Sequence, residues 1–138
     1  MNQTPEYAEE HMRTILIVED DELFRKALMT YLSFLGFRIN TAGTAEAALE
    51  EAKLSGVELM LVDYHLPGMN GIELARTLHA RDLHPRIVLM SGYLAEAIHE
   101  EARLASIDQV LRKPGDMTSL QQTILTLCSK GAGYETTN

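Results

Sequence analysis

Three short apolar runs, each stopping on a reactive side chain, constrain this chain more than any other feature. Ile15-Leu16-Ile17-Val18 runs into Glu19-Asp20, Leu59-Met60-Leu61-Val62 into Asp63, and Ile87-Val88-Leu89-Met90 into Ser91. A fourth, weaker run, Val110-Leu111, is followed shortly by Lys113-Pro114. Unbroken apolar runs of this length, with no polar alternation, are how strands buried on both faces read. If such strands lie parallel, their C-terminal ends converge on one edge of the sheet. Two or three acids, a hydroxyl and a lysine would then share one small site, a composition suited to a divalent cation and phosphate.

Between the runs the pattern turns helical. Phe24, Ala27, Leu28, Tyr31, Leu32 and Leu35 recur at the spacing of one helix face, and Gly36 ends that helix. Phe37 to Ala42 reads as a second, short strand without a reactive residue at its end, as expected of an edge strand. Thr44 is the N-cap of a helix carrying Ala45, Ala48, Leu49 and Ala52, closed by Ser55-Gly56. The Asp63 to Gly71 loop holds Pro67, Gly68, Asn70 and Gly71, a dense set of turn residues before a helix from about Ile72 to Ala80. Leu94 to Leu104 and Met117 to Ser129 are helical in pattern, flanking a fifth strand near Gln109 to Leu111. Strand–helix alternation repeated five times predicts βαβ units and an α/β fold, a doubly wound five-stranded parallel sheet with helices on both faces. Ligands of such sheets sit at the carboxyl ends of the strands near the topological switch point.

A chain of 138 residues suits one core. Residues 1–12 read as a flexible extension, 13–130 as the domain, and 131–138 as a polar tail or linker remnant. No apolar stretch approaches the roughly 18–20 residues of a membrane span. The N-terminus is unlike a signal peptide, and the lone Cys128, on an apolar helix side, reads as a buried, inert thiol; a cytoplasmic protein is expected. The formal net charge of −8 argues against direct nucleic-acid binding.

The strand-end residues have a definite chemistry. Mg²⁺ takes about six oxygens and keeps several waters, so two or three carboxylates suffice to hold it. Asp20 and Asp63 are short acids suited to direct ligation, and Glu19 can reach an ion through water. Asp63 also suits nucleophilic attack on a phosphoryl group. Lys113 can balance phosphate charge as a point cation, and the Ser91 hydroxyl can donate to a phosphate oxygen. Asp21 and Glu22 favour the N-terminus of the first helix rather than a metal. His11, His79, His84 and His99 lack metal-ligand spacing, and His65 reads as a solvent-facing loop side chain.

Val18-Glu19-Asp20-Asp21-Glu22, the stretch Val62 to Gly71, Met90-Ser91-Gly92 and Lys113-Pro114 together resemble the signature of response-regulator receiver domains, the CheY-like phosphoacceptor modules of two-component signalling. The likeness covers about residues 13 to 130. It implies a CheY-like (flavodoxin-like) fold and a receiver that takes a phosphoryl group on Asp63 from a histidine kinase or phosphotransfer protein. In that family Glu19 and Asp20 would be the acidic pair that positions Mg²⁺, with Asp63 and the backbone carbonyl of His65 completing the ligands. Ser91 would be the hydroxyl that moves towards the phosphate, and Lys113 its cationic contact, joined to Pro114 by a cis bond. The resemblance further implies a regulatory domain that catalyses nothing beyond its own phosphorylation and dephosphorylation. A downstream effector would bind the face made by the fourth helix, fifth strand and fifth helix, and phosphorylation-dependent homodimerisation is a further expectation.

Two positions depart from the family pattern. A Tyr or Phe usually stands three residues before the lysine, where this chain has Val110; Tyr93 is the candidate substitute ring, and with His65 it is expected to flank the phosphoryl group and tune its lifetime. Gly115 replaces an aromatic that often follows Lys-Pro. Two other function classes remain open: a Mg²⁺-dependent phosphohydrolase with an aspartyl-phosphate intermediate, and a phosphorylation-independent binding module. The phosphohydrolase would need a second acid two residues after Asp63, where His65 stands, and room for a cap.

Overall fold

A computed structural model describes residues 13–92, 96–113 and 117–131. Five strands and five helices alternate through it: β1 (Thr14–Val18), α1 (Glu22–Phe34), β2 (Arg38–Ala42), α2 (Ala45–Ser55), β3 (Leu59–Asp63), α3 (Gly71–Ala80), β4 (Arg86–Ser91), α4 (Glu96–Leu104), β5 (Gln109–Arg112) and α5 (Met117–Gly131). All strand pairs are parallel and the sheet order is β2-β1-β3-β4-β5. The chain leaves β1 towards one edge and returns across it to β3, so the switch point lies between β1 and β3.

The absence of alternation in the apolar runs has the predicted cause. Every residue of β3 is buried, as are the last four of β1 and the last five of β4. Successive side chains feed opposite cores. Leu16, Val18, Met60, Val62, Ile87 and Leu89 pack under α2, α3 and α4. Ile15, Ile17, Leu59, Leu61, Val88 and Met90 pack under α1 and α5. Each such side chain contributes roughly 1.5–3 kcal/mol through burial, so the central strands anchor the sheet. The edge strands β2 and β5 are more exposed, which fits their shorter or more polar sequences.

Local signals set the helix ends. Asp21 caps α1 by accepting from the Leu23 and Phe24 amides, and Thr44 caps α2 through the Ala47 amide. Asn70 and Glu73 form a reciprocal capping box at α3. Gly56 closes α2 in the left-handed region (φ 62°).

The structure departs from the sequence pattern in a few places. Ala27, placed by periodicity on the apolar face of α1, is exposed, while Leu28 and Leu32 fill the core there. The α5 helix continues to Gly131, past the end expected at Ser129. Cys128 is half-buried rather than enclosed, and burial pushes its thiol pKa up, which keeps it in the unreactive protonated form. Tyr93, Leu94, the Lys113–Pro114 bond, Gly115, the 1–12 extension and the tail from 132 fall outside the described residues. Among the described residues no helix is long and apolar enough to cross a membrane.

Candidate functional site

The carboxyl ends of β1, β3, β4 and β5 are pinned by sheet hydrogen bonds that continue past the strands. The Glu19 amide donates to Ala42 O at 3.0 Å, the Tyr64 amide to Met90 O at 2.7 Å, and the Lys113 amide to Ser91 O at 2.8 Å. Each reactive side chain therefore leaves from backbone that is already fixed. The β3–α3 loop is closed by the Gly71 amide donating to Tyr64 O at 2.9 Å.

Glu19 and Ser91 are fully buried and Asp63 is only 4% exposed, while Asp20 is open to solvent. Lys113 comes from beyond β5, which β4 and β3 separate from β1. Its Nζ lies 2.8 Å from Glu19 Oε1 and 3.1 Å from Asp63 Oδ2. Glu19 Oε2 also accepts from the Asp21 amide, and Asp63 Oδ1 from the His65 amide at 3.2 Å. Two buried acids thus share one ammonium group. Burial raises the Glu19 pKa above the usual carboxylate range, and the negative charge of Asp63 adds to this; the bonds from Lys113 and the Asp21 amide only partly offset it. For Lys113, burial favours the neutral amine, but the two carboxylate contacts outweigh it and raise its pKa.

This donor set fits Mg²⁺. One oxygen from each of Glu19, Asp20 and Asp63 can be chosen so that all three lie within 4.8 Å of one another. Oxygens sharing one Mg²⁺ sit about 3–4 Å apart, given a metal–oxygen distance of roughly 2.0–2.1 Å, with water filling remaining positions. Both oxygens of Glu19 and both of Asp63 already have protein partners, whereas Asp20 is open to solvent and is the freer ligand. Hard oxygen donors with a local excess of negative charge suit a hard divalent cation.

The expected residues meet unequally. Glu19, Asp20, Asp63 and Lys113 are brought together, and Ser91 ends the strand between those of Asp63 and Lys113. His65 is exposed, with its ring packed edge-on to Tyr64. Asp21 is occupied as a helix cap, as expected. Of the other histidines, His11 lies outside the described residues, and His79 and His84 stack on each other at 5.0 Å, away from the acids.

Three supporting residues were not legible as such. Arg25 Nη1 donates to the Glu19 carbonyl at 2.8 Å and ties α1 to the acidic loop. The Phe24 ring lies 4.8 Å from Lys113 Nζ. Gly71 reads in sequence as one of a group of turn residues, but its role is space. A Cβ there would stand 2.7 Å from Asp63 O and 2.7 Å from Leu89 Cδ1. Only a missing side chain lets α3 start this close to the end of β3. A helix face spaced from Phe24 and a glycine at a helix start were the available signals, and neither names a partner.

Comparison with known proteins agrees with this geometry. The sequence profile of the response regulator receiver domain matches residues 15–125. A cyclic di-GMP phosphodiesterase of Thermotoga maritima is 33% identical over 111 residues, covering 80% of this chain and 30% of the relative. The probable transcriptional regulatory protein NarL of Mycobacterium tuberculosis is 31% identical over 120 residues, covering 85% and 55%. The chain therefore spans under a third of one curated relative and about half of the other. Among solved structures, a CheY-like receiver domain protein from Methanospirillum hungatei superposes with a TM-score of 0.82 at 26% identity, covering 89% of this chain and 99% of that one.

Proposed function

This chain belongs to the response regulator receiver domains, the regulatory modules of two-component signalling, and on that premise we propose that it accepts a phosphoryl group on Asp63 from a histidine kinase or phosphotransfer protein, with Mg²⁺ held by Asp20, Asp63, Glu19 and the His65 carbonyl. The observation that carries this is the bridge of Lys113 to both Glu19 and Asp63, with Asp20 alongside. Residues from three strands meet at the switch point, where such sheets bind ligands.

In the proposed transfer, one Asp63 carboxylate oxygen forms a P–O bond as the P–N bond of a donor phosphohistidine breaks. The electron pair leaves with the imidazole, which takes up a proton. A bound Mg²⁺ would supply charge neutralisation on the phosphoryl oxygens. Lys113 exchanges its contact with the Asp63 carboxylate for one with a phosphoryl oxygen, so its ammonium stays paired throughout. The Ser91 hydroxyl donates to another phosphoryl oxygen once drawn towards it. Positioning and charge balance of this kind carry most of phosphoryl-transfer catalysis. The switched surface is the face of α4, β5 and α5, through which an effector domain, an effector protein or a second copy would bind. We place the protein in the cytoplasm, where such donors act.

Incubation with acetyl phosphate and Mg²⁺, followed by intact-protein mass spectrometry, tests the reading. A single phosphoryl adduct that persists for minutes, and is absent from Asp63→Asn, is expected. Rapid multiple turnover without an adduct would favour a phosphohydrolase, and neither adduct nor turnover a phosphorylation-independent module.

A further inference from the structure

The bridging lysine has a third neighbour besides its two carboxylates. The Phe24 ring, on the first turn of α1, lies with its centroid 4.8 Å from Lys113 Nζ. Phe24 is itself packed against the core under α1 and α5, and the Lys113 side chain is 22% exposed. A cation held near a ring face and partly shielded from water is attracted by the ring quadrupole. Three residues before the lysine stands Val110, so that position supplies no ring. Among the described residues the aromatic ring beside this ammonium comes from α1 instead.

We propose that Phe24 is a positioning residue for Lys113, its ring holding the ammonium over Asp63 against conformers that swing the lysine into solvent. The inference rests on the receiver reading, because it gives Lys113 a phosphoryl group to meet. The carboxylates alone make a poor anchor at that moment. Glu19 and Asp63 are the same groups that a divalent cation engages, and Asp63 loses its carboxylate charge when it is phosphorylated to an acyl phosphate. The ring is the one contact of the three that neither event alters. A lysine stem has four rotatable bonds, so a fixed contact on a packed helix raises the fraction of molecules ready to receive the phosphoryl group. Apparent affinity falls in proportion when that fraction falls.

Two measurements test this together. The first needs neither metal nor phosphoryl group. The Lys113 ε-methylene protons are expected to show an upfield ring-current shift by NMR that is lost in Phe24→Leu and kept in Phe24→Tyr. The second is titration with beryllofluoride, a phosphoryl mimic, at saturating Mg²⁺. Phe24→Leu, which keeps an apolar side chain at α1, should bind about threefold to tenfold more weakly, with Phe24→Tyr restoring near-normal affinity. Trifluorophenylalanine at position 24, which keeps the ring's shape but empties its face of negative charge, should resemble leucine. Equal affinities across the series, or no ring-current shift in the unaltered protein, would overturn the proposal. Failure of the unaltered protein to bind beryllofluoride, despite an intact ring-current shift, would instead overturn the receiver reading, and the role assigned to Phe24 with it.

Discussion

The two ends of one sheet handle charge in opposite ways. At the amino ends of the strands, charges are matched in pairs beside a cavity of about 560 Å³ that Arg13, Glu58 and Arg86 line. Arg13 meets Glu58 at 2.8 Å, and Arg86 lies 3.7 Å from Asp108, whose other oxygen accepts the Ile87 amide at 2.7 Å. At the carboxyl ends two almost wholly buried acids share one lysine, with a third, exposed acid beside them. Desolvating an acid without a full complement of partners is unfavourable. The same parallel strands thus end in matched ion pairs on one side and in a crowded acidic cluster on the other. Proteins give up stability in this way where they bind or react.

The largest expected contrast is between chemistry and folding at Asp63. Asp63→Asn should abolish the phosphoryl adduct completely, yet leave the urea midpoint unchanged or higher, because it removes one of the crowded negative charges. A large drop in that midpoint would mean that Asp63 is a structural acid like Asp108, and the contrast between the two ends would fail. Next in size is Gly71→Ala. Its new methyl group meets backbone and the Leu89 side chain at 2.7 Å, and overpacking of this kind costs about 1–3 kcal/mol. Urea denaturation should show that loss, with phosphorylation slowed as well, since the displaced atom is the carbonyl of Asp63 itself.

Glu19→Gln sharpens the comparison through pH. The Glu19 pKa in the fold is raised, so the native state binds more protons than the unfolded chain just above the ordinary carboxylate range. Stability contributed by this group is therefore present at low pH and declines as pH rises through that window. Glu19→Gln should flatten the decline and raise stability at neutral pH, measured by urea titration at a series of pH values. A variant that is less stable at neutral pH would show that the bond to Lys113 outweighs burial. The smallest effect belongs to the matched end. Arg13→Gln breaks a partly exposed pair and should cost roughly 0.2–1 kcal/mol, with phosphorylation unaffected.

The legibility of the sequence follows the same division. Strands buried on both faces have no polar positions, so β1, β3 and β4 announce themselves, and a polar residue directly after each has only the sheet edge to occupy. Asp63, Asp20, Glu19 and Lys113 were accessible in this way, and the switch point brought them together. What stayed hidden depends on contacts between distant segments. Lys113 and Glu19 are 94 residues apart, and nothing in either segment shows that the lysine crosses β4 and β3 to reach β1. Phe24 reads as one more apolar position on α1, although its ring also meets the ammonium. Gly71 reads as turn chemistry because a close approach leaves the same letter as a bend. Ala27 went the other way: periodicity placed it inwards, but α1 buries a stripe narrow enough to leave it out. Its small side chain costs little when exposed.

The identity of the acceptor residue can be read directly. Phosphorylated protein reduced with borohydride converts an aspartyl phosphate to homoserine, which peptide mapping locates. Homoserine at position 63 alone is the predicted result. Modification at Asp20, at Glu19 or on a residue outside the strand-end cluster would contradict it.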